Sequence, residues 1–322
     1  MKFAAKRLAM LLVTMVVVSF LTFAAFSVIS GDAAAAKLGT EITPERLAAL
    51  QAEMGLDRPL MVRYGEWLAG FFSGNLGTSY SYQQPVADLI APKVLVTLCL
   101  SFLSFLLIAA VSIPLGVWSI RYEGRTGWFW RFWDIVRTVF NQLCMAIPPF
   151  FTGILLSWLF GILLKWFVPG QFPELTEHPG GALRYLFFAA VSIAIPRVAM
   201  TVRMLRSTII SEMRKDYVRT VISRGNDRGS VLYRHVLKNS LVPVVTFLAQ
   251  TMAEIVAASI VVEQVFGIPG LGRMLVASIS NRDYPVVQVI VVILAFWVVL
   301  ASTLADLVNQ QIDPRLRLGG AK

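Results

Sequence analysis

The chain has 322 residues, 57% of them hydrophobic and 15% charged, with a mean hydropathy of +0.68. Soluble domains carry about 25% charge, so an ordinary soluble fold is excluded. The net charge of +10 would suit a nucleic-acid binder, but the cations are divided among loops between apolar runs, and no aromatic–basic nucleic-acid module appears.

Six apolar runs are long enough to cross a bilayer, at 8–30, 94–120, 138–164, 184–205, 241–264 and 285–309. They predict an all-α polytopic protein. Of the 29 Lys and Arg residues, 19 fall on one side of the resulting topology: the N-terminus, the 121–137 loop, the 203–240 loop and the C-terminal tail. Cations concentrate in cytoplasmic loops, so both termini are expected inside and residues 31–93 outside. Secondarily, such loops attract anionic headgroups. Cys99 and Cys144 lie in predicted spans and read as small core hydrophobes. His178 and His235 fall on opposite sides, which argues against a shared metal site.

In chain order, Lys2, Lys6 and Arg7 precede the first apolar run, and Ala33 to Ala36 follow it. That arrangement also fits a cleaved signal peptide, but the run of about 23 residues exceeds the 7–15 of a signal core, which favours an uncleaved span. The 31–93 segment begins with a helix starting at Thr43-Pro44, with Leu47, Leu50 and Met54 at helical spacing and an end at Gly55. A second amphipathic piece, Pro59 to Phe72, carries Trp67, Phe71 and Phe72 and suits an interface. GNLGTSYSYQQPV then reads as a turn-rich return to the membrane.

The second span contains Pro114 and the third Pro148-Pro149. These mark either flexing, pathway-lining helices or static kinks. The fourth span carries Pro196-Arg197, with Arg203 and Arg206 as headgroup anchors at its end. In the fifth, Glu263 lies near the external end and Glu254 in the middle; Asp306 ends the sixth. A mid-span carboxylate is costly, and Glu254 is expected to face a wet pathway, pair with Arg197 or stay protonated. Pro148, Arg197 and Glu254 are the candidate translocation-path residues. Between spans five and six, Gly267, Pro269, Gly270 and Gly272 form an external turn. It leads into a short helix, Gly272 to Ile279, before Pro285 opens the last span.

No GxxxxGK[ST] is present, and no cytoplasmic stretch is long enough for a nucleotide-binding domain. HExxH and GxSxG are absent as well. The chain is expected to be neither an enzyme nor a holder of a cofactor or metal.

The basic loop from Asp216 to Pro243, DYVRTVISRGNDRGSVLYRHVLKNSLVP, breaks at Gly225, where a positive φ is cheap. Asn226 and Asp227 suit helix N-caps. Val231, Leu232, Val236 and Leu237 form one apolar stripe, flanked by Arg228, Arg234, His235 and Lys238. Two short helices bent at a glycine make a knob that docks in a partner's groove or lies on headgroups.

This loop resembles the signature of ABC importer permeases, the inner-membrane components of binding-protein-dependent transport systems. That pattern is Glu-Ala-Ala, three residues, then glycine. The glycine matches Gly225, while Arg219-Thr220-Val221 replaces the triplet. The form seen here resembles the B-type permease of dipeptide, oligopeptide and nickel systems. TPERLAALQAEMGLDRPL, GNLGTS…QQPV, VFGIPGLG with NRDYP, and the terminal DPRLR also resemble that type, in order along nearly the whole chain.

The resemblance implies a type I ABC importer permease fold, six transmembrane helices with a cytoplasmic coupling helix, in the cytoplasmic (inner) membrane of a prokaryote. It implies a second homologous permease, two ATPase subunits carrying ATP and Mg, and an extracytoplasmic substrate-binding protein. Arg219, Thr220, Gly225, Val231, Leu232, Arg234 and His235, within the loop 212–240, would couple to the ATPases. Residues 1–93 would be the first span plus external segment, 94–309 the five-helix core, and 310–322 a cytoplasmic tail. The expected function is ATP-dependent import of small peptides or nickel and metal-chelate solutes. The rivals are an ion-coupled secondary transporter using Glu254 with Arg197, which predicts internal repeats, and a membrane scaffold through which nothing crosses.

Overall fold

The computed structural model describes residues 2–38, 58–120 and 127–312. The expected helix at 43–55 and the terminal DPRLR lie outside these residues. The described elements are α1 (Lys2–Leu38), α2 (Leu60–Ser73), α3 (Val86–Trp118), α4 (Trp128–Ala146), α5 (Pro149–Leu156), α6 (Pro179–Met213), α7 (Asp216–Ser223), α8 (Arg228–Val231), α9 (Leu237–Phe266), α10 (Leu271–Ser280) and α11 (Tyr284–Ile312). Among the described residues there is no β-strand, only an isolated bridge between Thr78 and Pro85.

Five helices are long and apolar enough to cross a membrane, six if one bent pair is counted as a single span. That pair is α4 and α5, which differ in direction by 99°. The stretch predicted as the third span is therefore two helices nearly at right angles, a sharper break than a flexing or kinked helix. Its cause is local. Ile147 is extended (φ −77, ψ 123), as the residue before a proline prefers, and Pro148 is extended too (φ −65, ψ 146). Pro149 then starts α5 where its missing N–H costs nothing. Beyond α5 the chain widens into a π-helical turn, Ser157–Leu163.

Packing divides the chain into two compact units, residues 1–97 with 269–300, and 98–268 with 301–322. In the first unit, α2 packs its aromatic face on α1. Tyr64 meets Phe20 edge-on at 5.2 Å, Trp67 lies 5.7 Å from Phe23, and the Ser19 and Tyr64 hydroxyls are hydrogen-bonded at 2.9 Å. The α2 helix ends at Gly74, whose φ of 82 is left-handed.

In the second unit, α6 is the central helix, with no exposed residue between Phe188 and Val202. A side chain on Gly116 of α3 would place Cβ 2.6 Å from Leu205 Cδ2, so glycine permits that close approach. Pro196 deprives the Ser192 carbonyl of its helical donor. The Thr152 hydroxyl of α5 lies 3.4 Å from that oxygen and also 3.1 Å from Pro148 O. The buried Tyr185 hydroxyl donates to Phe266 O at the end of α9 and accepts from Gly170 N at 2.9 Å.

Candidate functional site

The polar loop between α6 and α9 is one joined construction. At the end of α6, Glu212 is buried and gathers three donors: Lys215 Nζ at 2.5 Å, the Tyr217 hydroxyl at 3.0 Å and Asn239 Nδ2 at 3.3 Å. Asn239 Nδ2 also approaches the Tyr217 hydroxyl at 3.3 Å. One carboxylate thus ties together the end of α6, the short helix α7 and the base of α9. Burial first, and then the bond to the Glu212 carboxylate, push the Tyr217 phenol above its usual range, against the lowering effect of Asn239. It therefore stays a neutral donor.

The break after α7 is built as its residue types require. Gly225 has φ 86 and donates its N–H to Ile222 O at 2.9 Å. Asn226 Nδ2 donates to Val221 O at 3.1 Å, closing the end of α7. Asp227 Oδ2 accepts from Ser230 N at 3.0 Å and caps α8. From there the structure departs from the expected pair of short helices. A π-helical turn, Leu232–Val236, carries α8 directly into α9, so the second limb is the base of a transmembrane helix. The knob and that span are thus one continuous helical run.

Deeper in the same unit, Arg197 of α6 forms an ion pair with Glu254 of α9. Of the three expectations for Glu254, the geometry realises the pairing with Arg197. Pro148 lies at the α4–α5 break, in α5's N-cap position. Among the described residues, no group of three His, Cys, Asp or Glu side chains is placed to hold a metal ion.

Comparison with known proteins supplies the family. The model of the binding-protein-dependent transport system inner membrane component matches residues 112–318, and the corresponding N-terminal model matches residues 1–101. The chain belongs to this family. Relatives span its length: a protein of Brucella abortus named as a peptide transport system permease is 35% identical over 97% of this chain and 98% of its own. The dipeptide transport system permease protein of Alkalihalophilus pseudofirmus is 28% identical over 98% of this chain and 99% of its own. A protein of Sinorhizobium fredii named as a peptide ABC transporter permease is 29% identical over 97% and 98%.

As a member of this family, the chain is a multi-pass inner-membrane permease subunit of an ABC transporter, with the type I importer permease fold. Arg219, Thr220, Gly225, Arg234 and His235 are exposed on the permease's polar loop, and Leu232 is half-buried. Val231 differs: it is fully buried, packed within its own chain and unavailable to a partner. The exposed apolar residues of the loop are instead Ile222 and Tyr233. The helical stripe was legible in sequence, but not which of its residues the rest of the permease covers.

At the turn after α9, Gly267 is left-handed (φ 67) and closes that helix. Pro269 precedes Gly270, the extended N-cap of α10, and Gly272 is buried within α10. The Leu271 N–H of α10 donates to Thr97 Oγ1 at 2.8 Å. Two sequence stretches that resembled the family meet nearby. Asp283, fully buried in NRDYP, accepts from the Ser79 hydroxyl at 2.5 Å, Tyr80 N at 2.9 Å and Ser81 N at 3.4 Å. Burial pushes the Tyr80 phenol up, Arg63 opposes, and the Asp283 charge adds a smaller rise. Neither Asp283 nor Glu212 was singled out in sequence. The only signals were an acid next to basic residues, Glu212 before Arg214 and Lys215, and an acid beside turn residues, Asp283.

Proposed function

We propose that this permease imports small peptides, as one of a pair of homologous permease chains above two ATPase subunits that carry ATP and Mg, with an extracytoplasmic binding protein delivering the solute. Both termini and the Gly225 loop face the cytoplasm, on the side holding most of the Lys and Arg residues. Spans two to six form the transport core, with the first span and the 31–93 segment as its accessory and 310–322 as a cytoplasmic tail. The observation that carries the substrate class is the full-length similarity to permeases named for peptides and dipeptides.

The exposed surface of the loop, with Arg219, Thr220, Arg234 and His235 beside Ile222 and Tyr233, seats in an ATPase cleft. ATP binding acts by favouring the conformer with closed ATPases. Closure moves the knob, and the continuity of α8 into α9 carries that movement into the membrane. The chain itself makes and breaks no covalent bond.

The test is reconstitution of the complete transporter in liposomes, with ATP supplied on the ATPase side and a labelled dipeptide supplied with the binding protein. Uptake that needs both ATP and the binding protein is the expected result. Uptake by this chain alone, driven by an ion gradient, would overturn the proposal in favour of an ion-coupled carrier.

A further inference from the structure

The exposed residues of α9 within 241–266 are Gln250, Glu254, Ala257, Val261 and Gln264, and no others. Their spacing of four, three, four and three puts all five on one helical face. That face runs for about 21 Å at 1.5 Å per residue, most of a bilayer's hydrocarbon depth. Three of its five side chains are polar or charged. The exposed face of α3 offers the contrast, with Phe102, Leu106, Val111, Leu115 and Trp118, as hydrocarbon contact requires. Polar and ionisable side chains at membrane depth turn toward the bundle interior or a wet cavity, not toward lipid. Glu254 lies on this α9 face, and its partner Arg197 reaches it from α6; their side chains are 51% and 24% exposed, so a ligand can reach both.

We propose that this face is the chain's wall of the peptide route, and that Arg197 and Glu254 bind the terminal carboxylate and ammonium of the passing peptide. The inference rests on the peptide-import reading above. A small peptide carries one negative and one positive terminus, and each needs a counter-charge at this depth. Guanidinium is the side chain best matched to a carboxylate, through two parallel hydrogen bonds. Glu254 supplies the acceptor for the ammonium. With the route empty, the two residues neutralise each other. With peptide present, one internal ion pair is exchanged for two external ones, and no uncompensated charge is left at any stage. Gln250 and Gln264 hydrogen-bond the peptide backbone toward either end of the face, and Ala257 leaves room beside the pair.

The experiment uses the assembled transporter in membranes, with Cys99 and Cys144 replaced by alanine. Single cysteines are placed at Gln250, Ala257, Val261 and Gln264, with Phe102 and Leu106 as lipid-facing controls. A charged, membrane-impermeant thiol reagent should modify the α9 positions and not the controls. Dipeptide delivered by the binding protein should slow modification at Ala257, one helical turn from Glu254. If the α9 cysteines are as unreactive as the controls in every nucleotide state, the face is seated against another chain or lipid, and the proposal fails. If they react but peptide gives no protection, the face is wet without being the peptide's route, and the assignment is overturned.

The pair is tested with Arg197→Gln/Glu254→Gln, which removes both charges together and leaves neither unpaired. Peptide uptake should fall at least about tenfold, the worth of one charged hydrogen bond, while binding-protein-stimulated ATP hydrolysis persists. Unchanged uptake would show that the pair does not bind the peptide, and uptake, assembly and hydrolysis lost together would show that it only holds α6 to α9; either overturns the assignment. Absence of peptide uptake by the unmodified transporter is read separately and overturns the peptide reading itself, whatever the thiol pattern.

Discussion

The Tyr217 hydroxyl donates to Glu212 Oε1 at 3.0 Å, and Asn239 from the base of α9 reaches both groups at 3.3 Å. This triangle is the point where α7 is fastened to two long helices at once. Without it, α7 would be held by the packing of its buried Val218 and by its chain connections at Lys215 and the Gly225 turn. A push on such a helix would be spent on bending the loop.

Tyr217→Phe should therefore loosen coupling without dismantling the loop. Glu212 keeps Lys215 and Asn239, so the loss is one hydrogen bond to a buried carboxylate, about 1.5–3 kcal/mol. Glu212→Ala strips the acceptor from three donors and should cost about twice that or more. The measurement is the ratio of peptide uptake to ATP hydrolysis in the reconstituted transporter, beside a thermal unfolding midpoint in detergent. The ratio should fall in the order wild type, Tyr217→Phe, Glu212→Ala. An unchanged ratio for Glu212→Ala would mean the triangle transmits nothing.

Gly225 raises a different kind of constraint. A Cβ there would meet no heavy atom within 4 Å, so a side chain fits in space. What forbids it is the φ of 86, which costs an L-residue about 1–2 kcal/mol and a β-branched one more. Gly225→Val should uncouple uptake while membrane insertion stays normal, whereas Gly225→Asn, whose side chain tolerates the left-handed region, should retain more activity. Equal activity in the two variants would show that the bend at this position is not needed.

Asp283 makes the corresponding prediction for the other loop. Asp283→Ala leaves the Ser79 hydroxyl and the Tyr80 and Ser81 amides without their acceptor, at about 1–3 kcal/mol for each donor left buried and unsatisfied. Asp283→Asn keeps one carbonyl oxygen and should lose less. Thermal unfolding should rank wild type above Asp283→Asn and Asp283→Ala last. Limited proteolysis should cut at residues 77–85 first in the alanine variant. A midpoint unmoved in Asp283→Ala would show that the turn holds itself without the carboxylate.

Much of this architecture was legible because a bilayer imposes strong rules on sequence. Apolar runs marked the spans, Gly225 marked the bend, and Pro285 marked the start of α11. The short helix expected at 272–279 is α10, Leu271–Ser280. What was not legible depends on rotation and on distance along the chain. Val231 and Tyr233 stand two residues apart in one amphipathic run, yet one is fully buried and the other exposed; only the packing of α6 and α9 decides which. Ser79 and Asp283 are 204 positions apart, and neither segment names its partner. Pro148-Pro149 announced a disturbance but not its 99° magnitude, because two successive extended residues reverse direction far more than one helical proline does.

Gly116 provides a test of packing that is independent of coupling. Its ideal Cβ would lie 2.6 Å from Leu205 Cδ2, 3.0 Å from Cγ and 3.1 Å from Cβ. Leu205 is fully buried, so it can move aside only by displacing its packed neighbours. Gly116→Val should force α3 and α6 apart and cost about 1–3 kcal/mol, the usual penalty of overpacking. Leu205→Ala alone should cost about 2–5 kcal/mol through the cavity it leaves. Combined, the valine methyls occupy part of that cavity, and the double variant should be more stable than the sum of the single losses predicts. Thermal unfolding of all four proteins gives the coupling energy directly. Strict additivity would mean that Gly116 and Leu205 do not touch in the folded permease, and that the approach of α3 to α6 is set elsewhere along the two helices.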